Sequence, residues 1–260
     1  MIQFLTALHT DVGIIKETNQ DSLCIKSAKT DIGNILLAVV CDGMGGLKKG
    51  ELASATVIRR FSYWFDNELP LIIHDVTMDR IRNSFSAMID ELNNRIIEYG
   101  ENNGISLGTT LTAIFFTEEE YIVAHVGDSR AYIIDEDTIR MITEDQTVVG
   151  REVRRGLLTE EQAKTDPRRN ILLQCIGATR HVEPDYTTGT LTGEVLYMVC
   201  SDGFRHTIRP EELHRELKPG VCNDEDIMRQ KAIELVELNK ARKERDNISV
   251  ILIRPVVEDK

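Results

Sequence analysis

Three stretches of this chain are apolar almost without a break, and each meets an aspartate at one end. Residues 35–41 run into Asp42-Gly43-Met44-Gly45-Gly46, residues 195–200 run into Ser201-Asp202-Gly203, and Arg245-Asp246-Asn247 opens directly onto residues 248–253. A strand with one wet face alternates apolar and polar side chains, so continuous runs of this length, rich in β-branched residues, demand cover on both faces. A chain with several such strands has to stack sheets and helices in layers. Two further segments repeat the arrangement: residues 121–126 lead into Gly127-Asp128-Ser129-Arg130, and Asn19-Gln20-Asp21 precedes a short strand at 22–26. Taken singly, an Asp-Gly at a strand end also fits a plain hairpin turn. The repetition favours a shared site built from the strand-end aspartates Asp21, Asp42, Asp128, Asp202 and Asp246. If those ends converge, the carboxylates cannot all stay ionised unless cations bind among them.

The length of 260 residues suffices for a large core within one domain. Lys+Arg 31 against Asp+Glu 43 leaves a net charge of −12, which argues against a general nucleic-acid-binding or anionic-membrane surface. An anionic substrate must then be attracted locally, by metal or by a few basic side chains. The five cysteines, at 24, 41, 175, 200 and 222, form no C-x-x-C pair; they read as reduced core thiols, not as a disulfide or zinc framework. The N-terminal segment lacks a basic region followed by a long apolar one, and no apolar run nears membrane-spanning length. A cytoplasmic monomer without membrane attachment is expected.

Strands are expected at 3–9 and 22–26. Val57, Phe61, Trp64 and Phe65 then fall on one stripe of a helix over 49–67, closed by Pro70, and Ile81, Phe85, Met88, Ile89, Leu92 and Ile96 mark a second helix over 77–99 ended by Gly100. Strands at 108–116, 121–126, 130–134 and 138–142 are short and turn-linked, an antiparallel meander with a solvated acidic tip at Glu118-Glu119-Glu120. Residues 143–180 hold seven basic side chains, among them Arg151, Arg154, Arg155, Arg168 and Arg169, and Thr159-Glu160-Glu161-Gln162 resembles a capped helix start. Either this is a solvated excursion or it is a flap over an anionic substrate. Strands at 183–190 and 195–201, helices at 210–216 and 224–240, and a last strand ending at Pro255 complete the chain. The order suggests an α+β fold: a four-layer α-β-β-α sandwich of two antiparallel sheets flanked by helix pairs.

Hard oxygen ligands without His or Cys favour Mg²⁺ or Mn²⁺ over zinc or copper. Two such ions, typically about 3.5–4 Å apart, acidify a shared water and align it with a phosphorus centre. A cysteine-dependent route fits poorly, because Cys200, followed by Arg205, ends a strand expected to be buried, where a thiol's pKa rises. Neither G-x-x-x-x-G-K-[ST] nor G-x-G-x-x-G occurs, so the chain lacks those phosphate cradles.

With these residues assembled, the chain resembles the metal-dependent protein Ser/Thr phosphatases of type 2C (the PPM family) in their compact bacterial form. The likeness runs through Asn19-Gln20-Asp21, Cys41-Asp42-Gly43-Met44-Gly45-Gly46, Gly108-Thr109-Thr110-Leu111, Val126-Gly127-Asp128-Ser129-Arg130, Asp145-Gln146, Arg154-Arg155-Gly156-Leu157, Pro167-Arg168-Arg169-Asn170, Ser201-Asp202-Gly203 and Arg245-Asp246-Asn247. By position it implies that Asp42 bridges two metals with the Gly43 carbonyl on one of them. Asp202 and Asp246 would complete the other metal's ligands, with Asp21 close by, and Asp128 with Asp202 would hold a third, weaker ion. It also implies a flap at 145–180 within a single domain spanning 1–260. Two positions depart from the family pattern. Lys16 stands where an arginine usually grips the phosphate, a point charge in place of a bidentate fork. Met44 stands where animal members carry a histidine proposed as general acid, as it often does in bacterial members.

The activity so implied is Mn²⁺- or Mg²⁺-dependent hydrolysis of phosphoserine and phosphothreonine in proteins, by a hydroxide bridging two ions, on substrates of a Ser/Thr kinase. The alternatives are a weak or inactive relative that binds phosphoproteins as a regulator, and an enzyme dedicated to one regulator such as an anti-sigma-factor antagonist.

Overall fold

The computed structural model describes residues 1–44 and 49–257, so Gly45 and Gly46 of the glycine motif lie outside the described residues. The strands are β1 (Ile2–Asp11), β2 (Asp21–Thr30), β3 (Gly33–Asp42), β4 (Leu111–Phe116), β5 (Glu120–Val126), β6 (Arg130–Ile134), β7 (Ile139–Met141), β8 (Asp185–Thr190), β9 (Leu196–Cys200) and β10 (Ile248–Val257). They form two five-stranded antiparallel sheets, in the orders β1-β10-β9-β6-β7 and β2-β3-β4-β5-β8. The helices are α1 (Gly50–Tyr63), α2 (Met78–Asn103), α3 (Val148–Arg154), α4 (Glu160–Thr165), α5 (Asp202–Arg205), α6 (Pro210–Leu217) and α7 (Glu225–Ala241).

The apolar runs are covered on both sides, as their composition requires. Leu36, Ala38 and Val40 of β3 meet Tyr197, Val199, Ile251 and Ile253 in the layer between the sheets. The alternate residues Ile35, Leu37, Val39 and Cys41 turn outward onto Val57, Phe61, Phe85 and Ile89 of α1 and α2. On the far side, Met198, Cys200, Val250 and Leu252 pack against Phe204, Leu213, Met228 and Leu235 of α5, α6 and α7. This is the expected four-layer α-β-β-α sandwich, and it fixes every strand to a period of two.

Three local expectations are corrected. Helix α2 runs through Gly100 to Asn103 and stops at Gly104, which takes the left-handed φ of 63°. Gly100 sits inside because the returning chain passes so close that a Cβ there would lie 2.7 Å from the Ile105 carbonyl oxygen. The meander is two hairpins in different sheets: β4 pairs with β5, β6 pairs with β7, and the Gly127-Asp128-Ser129 link crosses between layers. Finally, β10 continues through Pro255, opposite Phe4 of β1. The Ser249 N–H points towards β9, at Ser201, so by alternation Pro255 would also donate on that side, where pairing with β9 has ended at Ile253. Its missing N–H costs no hydrogen bond.

Candidate metal centre

Strand register brings the aspartates to one rim. Asp21 opens β2, Asp42 closes β3, and the two are register partners. In the other sheet Cys200, the last residue of β9, aligns with both Val250 of β10 and Arg130 of β6. Asp202, Asp246 and Asp128 therefore leave their strands at the same end. Side chains tie the two rims together: the Ser201 hydroxyl donates to Asp21 Oδ2 at 2.9 Å, the hydroxyls of Thr110 and Ser129 meet at 2.8 Å, and the Gln20 N–H donates to Asn247 Oδ1 at 2.9 Å.

The main chain of Asp42 is held from both directions, since its N–H donates to Thr110 Oγ1 and its carbonyl accepts from the Thr110 N–H, each at 2.9 Å. That leaves its carboxylate to the rim. Gly43 follows because a Cβ there would stand 2.6 Å from the Gln20 carbonyl oxygen. Asp21, Asp128 and Asp202 are buried, and Asp21 Oδ1 and Asp202 Oδ1 have no hydrogen-bond partner.

The electrostatics record the crowding. Burial, then the neighbouring charges of Asp21, Asp202, Asp128 and Asp246, push the Asp42 carboxyl far above the usual range. Burial raises Asp21 to about 7, with Asp202 and Asp246 adding to it and hydroxyl donors opposing it. Burial and Asp202 raise Asp128 to about 7 against the pull of Arg205. Lys16 Nζ lies 2.8 Å from Asp246 Oδ1; its partial burial is outweighed by that bond and by the fields of Asp246, Asp42 and Asp202, which hold its ammonium above the ordinary value.

Unpartnered carboxylate oxygens and repelling neighbours are what a divalent cation would relieve, and an all-oxygen donor set suits the magnesium class. Among the described residues no three His, Cys, Asp or Glu side chains are gathered into a ready cage. Ions that keep several waters and take one or two carboxylates each do not need one.

A family model described as Protein phosphatase 2C matches residues 15–226. The chain belongs to the protein phosphatase 2C family. It is 32% identical over 254 residues to the serine/threonine phosphatase stp of Listeria welshimeri, covering 94% of this chain and 93% of that one. Among solved structures it resembles the serine/threonine phosphatase Stp1 from Staphylococcus aureus, with a TM-score of 0.85, 30% identity and 98% and 95% of the two chains covered. It also resembles the catalytic domain of the phosphatase PstP in complex with two manganese ions, at a TM-score of 0.80 and 26% identity, covering 99% of this chain and all of that one. As a protein phosphatase 2C the chain is an enzyme, a protein phosphatase.

Within this phosphatase several supporting residues escaped the sequence reading. Arg130 forks onto Asp145 through Nε and Nη2, both at 2.7 Å, while Arg205 donates to the Asp128 carbonyl at 3.0 Å and approaches Asp145 at 3.5 Å. Asp145 is held below the usual carboxylate range because these arginines overcome its burial. His206 lies 3.5 Å from Asp202 and 3.7 Å from Glu244. Of these, Arg130 and Asp145 stand within the motifs that carry the resemblance and Arg205 follows Cys200, while His206 and Glu244 had no sequence signal. Burial pushes the Cys200 thiol up to about 12 and raises the Cys175 thiol as well, the opposite of what a thiolate nucleophile needs.

Residues 145–180 carry α3 and α4, and the Thr159/Gln162 capping box forms as expected. Part of their basic charge is spent on nearby carboxylates: Arg168 pairs with Glu152 and Asp166, Lys164 with Glu161, and Arg154 with Glu144 just before the segment. The segment is anchored to α2 by Asn93, which accepts from the Gly177 N–H at 2.7 Å and donates to the Thr179 carbonyl at 3.0 Å. No helix among the described residues is long and apolar enough to cross a membrane.

Proposed function

We propose that this protein phosphatase hydrolyses phosphoserine and phosphothreonine in proteins and depends on two divalent ions of the Mn²⁺/Mg²⁺ class, with a third held more weakly. The observation that carries the assignment is the meeting of aspartates from both sheets at one rim, with buried carboxylate oxygens left unpartnered. Asp42, between Asp21 of its own sheet and Asp202 and Asp246 of the other, would be shared by two ions, with the Gly43 carbonyl as a further oxygen donor. Asp21, Asp202 and Asp246 would complete their ligands, and Asp128 with Asp202 would hold the third. When bound, such ions lower the pKa of a water and neutralise phosphate charge.

The protein's own groups do the positioning. Lys16 offers the phosphate a single ammonium donor and must share it with Asp246. Met44 has no proton to give, so the leaving group's proton would have to come from water or from another group at the rim. We read the 260 residues as one phosphatase domain, cytoplasmic and monomeric, whose segment 145–180 forms a flap beside the rim. Its substrates are phosphoproteins made by a Ser/Thr kinase.

The test is hydrolysis of a phosphothreonine peptide with Mn²⁺, with chelator, and in Asp202→Ala. Turnover that needs the ion and disappears in the variant is expected. No turnover with Mn²⁺, or undiminished turnover in Asp202→Ala, refutes the assignment; tight phosphopeptide binding without turnover would favour a non-catalytic regulator.

A further inference from the structure

The turn between β1 and β2 is fastened to the rim, yet it carries isoleucines into solvent. Gly13 adopts a φ of 78°, and a Cβ there would run into the main-chain oxygen of Asp246. The Asn247 side-chain amide donates to the carbonyls of Val12 at 2.9 Å and Thr18 at 3.3 Å, and the Gly13 N–H donates to Asp11 Oδ1 at 2.7 Å. With the Lys16–Asp246 pair, residues 12–18 are pinned at both ends and in the middle. Even so, Ile14 is 43% and Ile15 56% exposed. Turns are ordinarily built from Gly, Pro, Asn, Asp and Ser, each for a backbone reason. Two β-branched apolar residues at an exposed tip contribute little burial to folding. They stand one and two residues from the ammonium assigned to the phosphate.

We propose that Ile14 and Ile15 form an apolar shelf that receives an aliphatic side chain next to the phosphorylated residue of a substrate protein, so that the enzyme prefers phosphosites with apolar neighbours. The proposal rests on the reading of Lys16 and the aspartate rim as the phosphate site. In an extended segment each residue advances roughly 3.3 Å, so neighbours one or two places from the phosphoresidue come level with a shelf one or two residues from Lys16. Continuity with that rim identifies the occupant as a substrate segment. Asp11 is paired with Lys240 at 3.1 Å and Asp246 with Lys16 at 2.8 Å, so Glu17 is the turn's own carboxylate that disfavours acidic neighbours and an anionic lipid surface.

The experiment compares kcat/KM, with Mn²⁺ present, for phosphothreonine peptides that differ only in carrying Leu, Ser or Asp at the two adjacent positions. The enzymes are the wild type, Ile14→Ser/Ile15→Ser and Ile15→Val. The wild type should favour Leu over Ser by about five- to ten-fold, mostly in KM, with Asp lowest. The ratio should fall close to one in the double variant and persist in Ile15→Val. Equal rates in the wild type, or a Leu preference that survives in a double variant folded by circular dichroism, overturn the shelf alone. No hydrolysis of any peptide overturns both the shelf and the proposed function.

Discussion

Asp21→Asn should make the metal-free protein more stable at alkaline pH while weakening its hold on ions. The Asp21 carboxyl rises from its ordinary value of 3.8 to about 7, chiefly through burial. Below about pH 4 it is protonated folded or unfolded and costs nothing. Between about 4 and 7 the folded chain keeps a proton that the unfolded chain releases, so stability falls as pH rises, and above about 7 the full penalty applies. The difference corresponds to about 4 kcal/mol, and because neighbouring carboxylates share the repulsion, about 2–4 kcal/mol should be recovered by a neutral isostere. The asparagine carbonyl can still accept from Ser201, and its amide replaces an oxygen that had no partner. For a chain of this size the gain is roughly 5–15 °C in Tm. Calorimetry in chelator from pH 5 to 8.5 should show a wild-type Tm that declines with pH and a flatter variant curve crossing above it. Saturating Mn²⁺ should raise the wild type more than the variant. A wild-type Tm in chelator that does not change with pH, or a variant less stable at pH 8, would refute the reasoning.

Asp42→Ala should abolish phosphopeptide hydrolysis almost completely if, as proposed, two ions share that carboxylate; steady-state kinetics with Mn²⁺ and calorimetric ion titration check the two halves of that statement. Gly43→Ala should cost at least about 2 kcal/mol, because a Cβ has no room beside Gln20 and Gly50; urea denaturation measures it. Lys16→Ala should raise KM about ten-fold or more, while Lys16→Arg should retain or lower it by offering phosphate a fork. Asn93→Ala leaves the Gly177 N–H and Thr179 carbonyl without their partner, costing about 1–3 kcal/mol, and should increase amide exchange in residues 175–180.

The layered fold was legible because an apolar run such as residues 35–41 has one physical meaning, cover on both faces. The rim was legible only because the arrangement recurs, since a single Asp-Gly at a strand end fits a hairpin turn equally well. What local pattern could not supply was partnership. Nothing in the period of residues 121–142 tells that the Gly127-Asp128-Ser129 link changes sheets. Gly100 looked like a helix end because close approach of the chain at Ile105 is a tertiary fact. Pro255 looked like a strand end because its tolerance depends on where β9 stops pairing. Arg205 entered only as the arginine after Cys200 and His206 gave no signal, until the fold set them beside Asp128 and Asp202.

The slot that β10 fills, between β1 and β9, also shapes biosynthesis. β1 has no hydrogen-bonded neighbour in its sheet until β10 is made, and at ordinary elongation rates of about 5–20 residues per second that delay is roughly 12–50 s. During that interval β1 presents an edge without its sheet partner, and a holdase that shields it should raise the yield of folded protein.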